Sequence, residues 1–184
     1  MRFPIGMEFA EILRMKLPGP FSKDKNTVNV IIETPAGSRN KYAYDEETGL
    51  FKLRKILPSG TEFPMNMGFI PGTKGGDGDP LDALVWVEFP SVIGAWIECR
   101  LIGVIEAEQK EKGKPIERND RFVFVPECSE EHKKILSIHD LPKTKMEDLE
   151  GFFKYYNSME GKKFRIIDLK GPKKAMRVIQ KQLR

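Results

Sequence analysis

From Val28 to Glu127 the apolar positions come in short runs, alternating or saturated, broken by turn residues, a pattern that predicts strands. VNVIIET (28–34) is β-branched and apolar, and KYAYD (41–45) alternates. DEETG then turns the chain into LFKLR (50–54). Farther on come ALVWVEF (83–89), WIECRLIGVIEA (96–107) and RFVFVPE (121–127), the last two joined by the polar hairpin KEKGKPIERND. Many short strands with frequent turn signals predict a small closed β structure rather than alternating strand–helix units. Helical spacing arrives late. Thr144 and Glu147 form a capping-box pair, and Leu149, Phe152, Phe153 and Tyr156 recur at helical intervals before Gly161. A weaker pattern predicts a helix near 7–16. The expected class is α+β, mainly β. No repeat or low-complexity linker divides the 184 residues, which suit one domain spanning 1–184.

Charge changes this picture at one end only. Nine of the 31 basic residues, but one of the 27 acids, lie beyond Gly161, leaving 22 bases against 26 acids in the remainder. A basic tail can signal nucleic acid. Here Pro172 can open a helix, with Met176, Ile179 and Leu183 as its docking seam, so Lys173, Arg177, Lys181 and Arg184 read as a solvated face. Glu8, Glu11, Arg14 and Lys16 interrupt the N-terminal apolar residues, so a signal peptide is not expected, nor is any membrane span. Two cysteines, Cys99 and Cys128, are too few for a disulfide scaffold and fit a reducing cytoplasm.

Candidate chemistry sits in GGDGDPLD (75–82), where Asp77, Asp79 and Asp82 crowd one turn. Like charges this close resist ionising together unless a cation sits among them. Acids and glycines are common in turns, but a plain turn does not require three acids. Gly78 permits tight geometry and Pro80 stiffens it, so the carboxylates are held. An EF-hand is excluded, because the glycine expected at its sixth position is Asp82 and a strand follows. A rigid all-oxygen cluster suits a hard cation, Mg²⁺ above all, with waters and substrate phosphates completing the shell. A phosphate substrate also calls for converging cations, and Lys41, Arg54 and Arg121 lie on or beside predicted strands. Other chemistries fit poorly. His132 and His139 form no triad with a serine, and Cys128, His132 and His139 lack zinc-site spacing. GTKGGDGD lacks the ending of a Walker A loop.

On these residues the chain resembles the family I soluble inorganic pyrophosphatases, from roughly Val28 to Lys163. GDGDPLDALV matches that family's D-[SG]-D-P-x-D signature. IIETPAG carries Glu33 at an active-site glutamate, KYAYD carries Lys41, LFKLR carries Arg54, and FPMNMGFIP echoes a tyrosine-rich stretch. RFVFVP brings Arg121 to a position where the family usually has lysine, and FFKYYN brings Tyr156 to a phosphate-contacting tyrosine. The resemblance implies a five-stranded OB-like barrel with peripheral helices and Mg²⁺-dependent hydrolysis of pyrophosphate. It implies metal at Asp77, Asp79 and Asp82, with Asp79 also orienting the attacking water or accepting its proton. Glu33, Lys41, Arg54, Arg121 and Tyr156 are then the substrate contacts, Lys41 and Arg54 acting catalytically by electrostatic stabilisation. Homo-oligomers are expected, since family members form dimers or hexamers.

The chain also departs from the pattern. Ala43 stands for a glutamate, Phe63 and Met67 for tyrosines, and Asn157 for a lysine. A gapless reading puts Gln109 and Asn119 at two acidic metal positions, with Glu108 and Asp120 one residue away. A one-residue offset on a strand turns a side chain to the other face, and Asp120 enters the metal set only if a bulge re-aims it. These departures leave three other readings open. One is a hydrolase of polyphosphate or a nucleotide, and another is a catalytically weak relative. The third, a barrel binding single-stranded nucleic acid, leaves the acidic turn unexplained, since acids oppose phosphate backbones.

Overall fold

The computed structural model describes residues 17–24 and 27–184, and the helix expected near 7–16 lies outside them. Strands β1 (Val28–Thr34), β2 (Asn40–Asp45), β3 (Leu50–Ile56), β4 (Asn66–Ile70), β5 (Leu81–Val85), β6 (Trp96–Glu111), β7 (Ile116–Arg118) and β8 (Arg121–Pro126) follow in order. A 3₁₀ turn at Ile138–Asp140, helix α1 (Lys143–Ser158), β9 (Lys162–Lys170) and helix α2 (Pro172–Lys181) complete the chain. The strands β1, β4, β5, β8 and β6 pair in that order, and β6 pairs back with β1. The result is the expected α+β, mainly β fold: a ring-like sheet of five strands with helices at its periphery.

The ring includes a strand that the sequence reading did not list. KYAYD and LFKLR form β2 and β3, a separate two-stranded hairpin, while the fifth ring strand is β4, NMGFI. β4 is short and interrupted by Gly68, where a Cβ would meet the Ile31 carbonyl oxygen at 2.0 Å. The residue that weakens the strand pattern is the one that lets β4 approach β1. ALVWVEF is only partly strand, since β5 starts at Leu81 and ends at Val85.

β8 shows why a saturated run makes a strand here. Phe122 and Phe124 point into the ring with Val30, Ile32, Ala83 and Val85, and α2 closes that core with Ala175 and Ile179. Val123 and Val125 face outward and are covered by α1 and β9 through Leu149, Phe153 and Phe164. Both faces are buried, so alternation disappears. Truncating Phe122 to alanine would cost about 3–5 kcal/mol.

Two helix details correct the sequence reading. α1 starts two residues earlier than the Thr144 cap predicts, behind Pro142, with no side-chain cap. The capping box lies instead on Ser137 and Asp140 of the 3₁₀ turn. α2 opens at Pro172 and buries Ala175 and Ile179 as its seam, whereas Leu183 lies beyond it and bridges to Thr73.

Candidate active site

β4 and β5 pair antiparallel, Phe69 opposite Asp82, and the acidic turn spans the loop between them. Gly78 adopts φ 95°, the left-handed region that favours glycine. Asp77 Oδ1 accepts from the Asp79 N–H at 3.1 Å, and Gly75 N–H donates to the Asp79 carbonyl at 2.7 Å. At its base, Thr73 Oγ1 donates to the Ile70 carbonyl and accepts from Leu81 N–H at 3.0 Å. The turn is therefore rigid while Asp77 and Asp79 are exposed.

Two adjoining clefts flank this turn. The first, about 740 Å³, is lined by Glu33, Lys41, Arg54, Asp79, Asp82, Arg121 and Tyr156. Seven residues singled out from the sequence thus meet around one space. The second, about 720 Å³, is lined by Asp77, Asp82, Arg118, Asn119 and Asp120, with Gln109. Asp82 borders both. Glu108 pairs instead with Arg165 at 2.8 Å, as its one-residue offset on β6 predicts.

Bulges aim two of these side chains. The β1–β4 register slips between Ile32 and Thr34, placing Glu33 at the irregularity. In the β2–β3 hairpin Lys41 faces Lys55 and Tyr42 faces Leu53, so Arg54 is the extra residue. A bulged residue leaves the strict alternation and can be redirected. Arg54 is exposed, with Asp45 3.9 Å away. Lys41 Nζ donates to the Tyr156 hydroxyl at 3.1 Å. The Tyr156 ring packs with Phe63 and Phe152, so it combines an apolar seat with a polar tip in the cleft.

Glu33 is held under the hairpin, its Oε1 accepting the Tyr44 N–H at 2.6 Å. Burial is the main force raising its carboxyl from the ordinary 4.5 up to about 7. The Tyr44 hydrogen bond opposes that rise, Asp82 adds to it, Lys41 opposes it and Asp79 adds again.

Arg121 is buried, 8% exposed, and pairs with Asp82 at 2.6 Å. It also donates to the Asn119 side chain, and its Nε–H has no partner among the described residues. Asp120 is engaged as well: Oδ1 accepts the Ala107 N–H at 3.0 Å and pairs with Arg118 at 2.9 Å.

A hard divalent cation fits the donors of the turn. Asp77 and Asp79 offer exposed carboxylate oxygens on a rigid backbone, and Mg²⁺ favours one or two protein carboxylates. Among the described residues, however, the aspartates do not gather three oxygens within 4.8 Å of one another. The set of three ligand atoms that does lie so close is two carboxylate oxygens and a ring nitrogen, from Glu88, Glu131 and buried His132, outside both clefts. Sequence spacing gave no sign of this cluster, because Glu88 and His132 come from distant segments. The acids of DEETG were also read only as a turn, yet Asp45, Glu46 and Glu47 line the first cleft. Three acids just before the Arg54 strand were the available signal.

Carboxylates and cations thus face one another around a shared cleft on a ring-closed sheet. The chain matches the family described as inorganic pyrophosphatase over residues 30–184, and it belongs to that family, whose members are hydrolases. It is 38% identical over 140 residues to the inorganic pyrophosphatase of Halalkalibacterium halodurans, covering 76% of this chain and 83% of that one. The solved structure of inorganic pyrophosphatase from Thermus thermophilus superposes with a TM-score of 0.80 at 32% identity, covering 89% of this chain and 92% of that one. That of the Helicobacter pylori enzyme gives 0.81 at 30%, covering 91% and 96%.

Proposed function

We propose that this chain hydrolyses inorganic pyrophosphate to two phosphates in the presence of Mg²⁺. The observation that carries this reading is the single cleft shared by Lys41, Arg54, Arg121 and Tyr156 on one side and Asp79, Asp82 and Glu33 on the other. Lys41 and Arg54 bind and neutralise the phosphate oxygens, fixed cations in a partly enclosed site acting mostly by electrostatic stabilisation. The Nε–H of Arg121, unpartnered among the described residues, offers a further donor to the substrate. Tyr156 orients Lys41 and presents its hydroxyl. Asp79 orients the attacking water and accepts its proton as oxygen bonds to phosphorus. The bridging P–O bond breaks, and the leaving phosphate takes up the electron pair.

By the family resemblance Asp77, Asp79, Asp82 and Asp120 are the metal positions; Asp82 and Asp120 already carry arginine partners, and Asp77 and Asp79 are left to hold an ion. Mg²⁺, when bound, supplies charge neutralisation between carboxylates and substrate and makes a water more acidic. A homo-oligomer fits the exposed apolar side chains of Phe89 and Val92 on the β5–β6 connection and of Trp96 at the start of β6. A cytoplasmic setting fits the free thiols of Cys99 and Cys128. No helix among the described residues is long and apolar enough to cross a membrane.

One observation favours a second reading. Ala43, Phe63 and Met67 all line the first cleft, where the family pattern puts a glutamate and two tyrosines. Loss of those polar groups widens and greases the wall, which suits a longer phosphoanhydride such as polyphosphate or a nucleotide. Phosphate release from pyrophosphate, polyphosphate and nucleoside triphosphate, each with Mg²⁺ and with chelator, separates the cases. Pyrophosphate turnover abolished by chelation is expected. Turnover of only the longer substrates selects the second reading, and turnover of none marks a catalytically weak relative.

A further inference from the structure

We propose that the Arg121 guanidinium is a resident cation standing between Asp82 and Asn119 where a divalent ion would otherwise sit, so that this chain binds one divalent ion fewer. The inference rests on the pyrophosphatase reading for which positions are metal positions.

Strand register makes the pair. β5 and β8 run parallel with Ala83 opposite Phe122, so one residue earlier Asp82 and Arg121 share the outer face. Their ion pair, at 2.6 Å, follows from the sheet. The guanidinium does not depend on Asp82 alone. The same Nη1 donates to the Asn119 carbonyl at 3.2 Å, to the Asp120 carbonyl at 3.1 Å and to the Asn119 side-chain oxygen. Backbone carbonyls are fixed by the fold, so these bonds persist when Asp82 is offered another cation. The group also lies over the Phe153 ring, 5.4 Å from its centre.

Charge completes the case. With asparagine at 119, the Arg121–Asp82 pair is neutral and exerts little pull on a dication. A lysine at 121 would be a flexible point charge that can swing clear, whereas the planar guanidinium lies over the Phe153 ring with its Nη1 set among the oxygens of Asp82, Asn119 and Asp120. Arg121 is buried although Asp82 is 41% exposed, so a dication that takes Asp82 leaves a desolvated guanidinium charge behind and must offset that cost. Arg118 treats Asp120 in the same way on the other side of the second cleft. Asp77 and Asp79 are left, which is the small carboxylate set that Mg²⁺ favours.

The test counts Mn²⁺ ions bound to the full-length protein without substrate, by equilibrium dialysis with electron paramagnetic resonance. The variants are Asn119→Asp, Arg121→Lys and the double substitution, each checked for folding by circular dichroism. The double variant should bind one ion more than the parent. Asn119→Asp alone should gain none, because Arg121 still holds Asp82 and pairs with the new carboxylate. Equal counts in parent and double variant overturn the proposal, as does a full extra ion in Asn119→Asp alone. If the double variant does not fold, Arg121→Lys decides: about tenfold tighter Mn²⁺ binding supports the proposal, and unchanged binding ends it. Failure of the functional reading looks different. A parent that releases no phosphate from pyrophosphate while the double variant gains an ion refutes the activity and leaves the resident cation standing.

Discussion

The cleft holding Lys41, Arg54 and Tyr156 and the cleft holding Asp77, Asp120 and Arg118 meet at Asp82, yet their charges are committed to different degrees. In the first, Lys41 rests on a neutral hydroxyl and the acid beside Arg54 is 3.9 Å away. Loose, exposed pairs of that kind contribute little and are readily exchanged for a better anion. In the second, Asp82 and Asp120 have arginine nitrogens at 2.6 and 2.9 Å, and Asp120 accepts a backbone N–H besides. On the proposed reading, cations aimed at phosphate are left available, whereas Asp82 and Asp120 are already paired and Asp77 and Asp79 remain for metal. Such a site would keep its grip on the anion while changing its demand for metal.

The largest effects should come from residues of the first cleft. Asp79→Asn should lower kcat on pyrophosphate by about 10³-fold, because an amide accepts no proton from the attacking water. Arg54→Met should cost about 10²-fold through lost electrostatic stabilisation. Arg118→Met, in the second cleft, should stay within about threefold of the parent. Steady-state kinetics with melting curves as a folding control measures all three. A loss at Arg118 as large as at Arg54 would erase the contrast between the clefts.

What the sequence disclosed follows the range of the forces involved. β8 and the acidic turn were legible, because saturation of a run and Gly–Pro stiffening are local. β9 was absorbed into the basic tail: KKFRIIDLK pairs with β6 as an edge strand carrying lysines, and its alternation is masked by charge. Residue types at the site were legible, their aim was not. Glu33 and Arg54 are turned into the cleft by bulges, and Asp82 meets Arg121 through parallel pairing of β5 with β8. Tyr156 read equally well as core or contact, since its ring and its hydroxyl serve different neighbours.

A smaller effect probes the metal end directly. Mg²⁺ that binds only the folded turn should stabilise it, by about 2.7 kcal/mol at a hundred times its dissociation constant. Asp77→Asn should remove most of that response. Asp120→Asn should remove little, since its carboxylate is already paired with Arg118. Melting temperatures across millimolar Mg²⁺ give the comparison. A flat profile for the parent counts against a preformed metal site, and equal losses in both variants would show that Arg118 leaves Asp120 free to bind.

The smallest effect is a pH dependence confined to the first cleft. Glu33 is raised to about 7 in the folded protein, mainly by burial, against 4.5 when unfolded. Between those values the folded state holds a proton that the unfolded state has released, so stability falls as pH rises through the window. The contribution is complete below pH 4.5 and lost above about 7. Glu33→Gln keeps the shape without the ionisation, and should flatten the profile and gain on the order of 2 kcal/mol over the parent at pH 8. Asp120→Asn, which deletes an ion-paired carboxylate, should show no such gain. Urea unfolding from pH 5 to pH 8 without divalent ions measures this. If parent and Glu33→Gln curves run parallel, Glu33 is ionised throughout, and the hairpin admits enough water to solvate it.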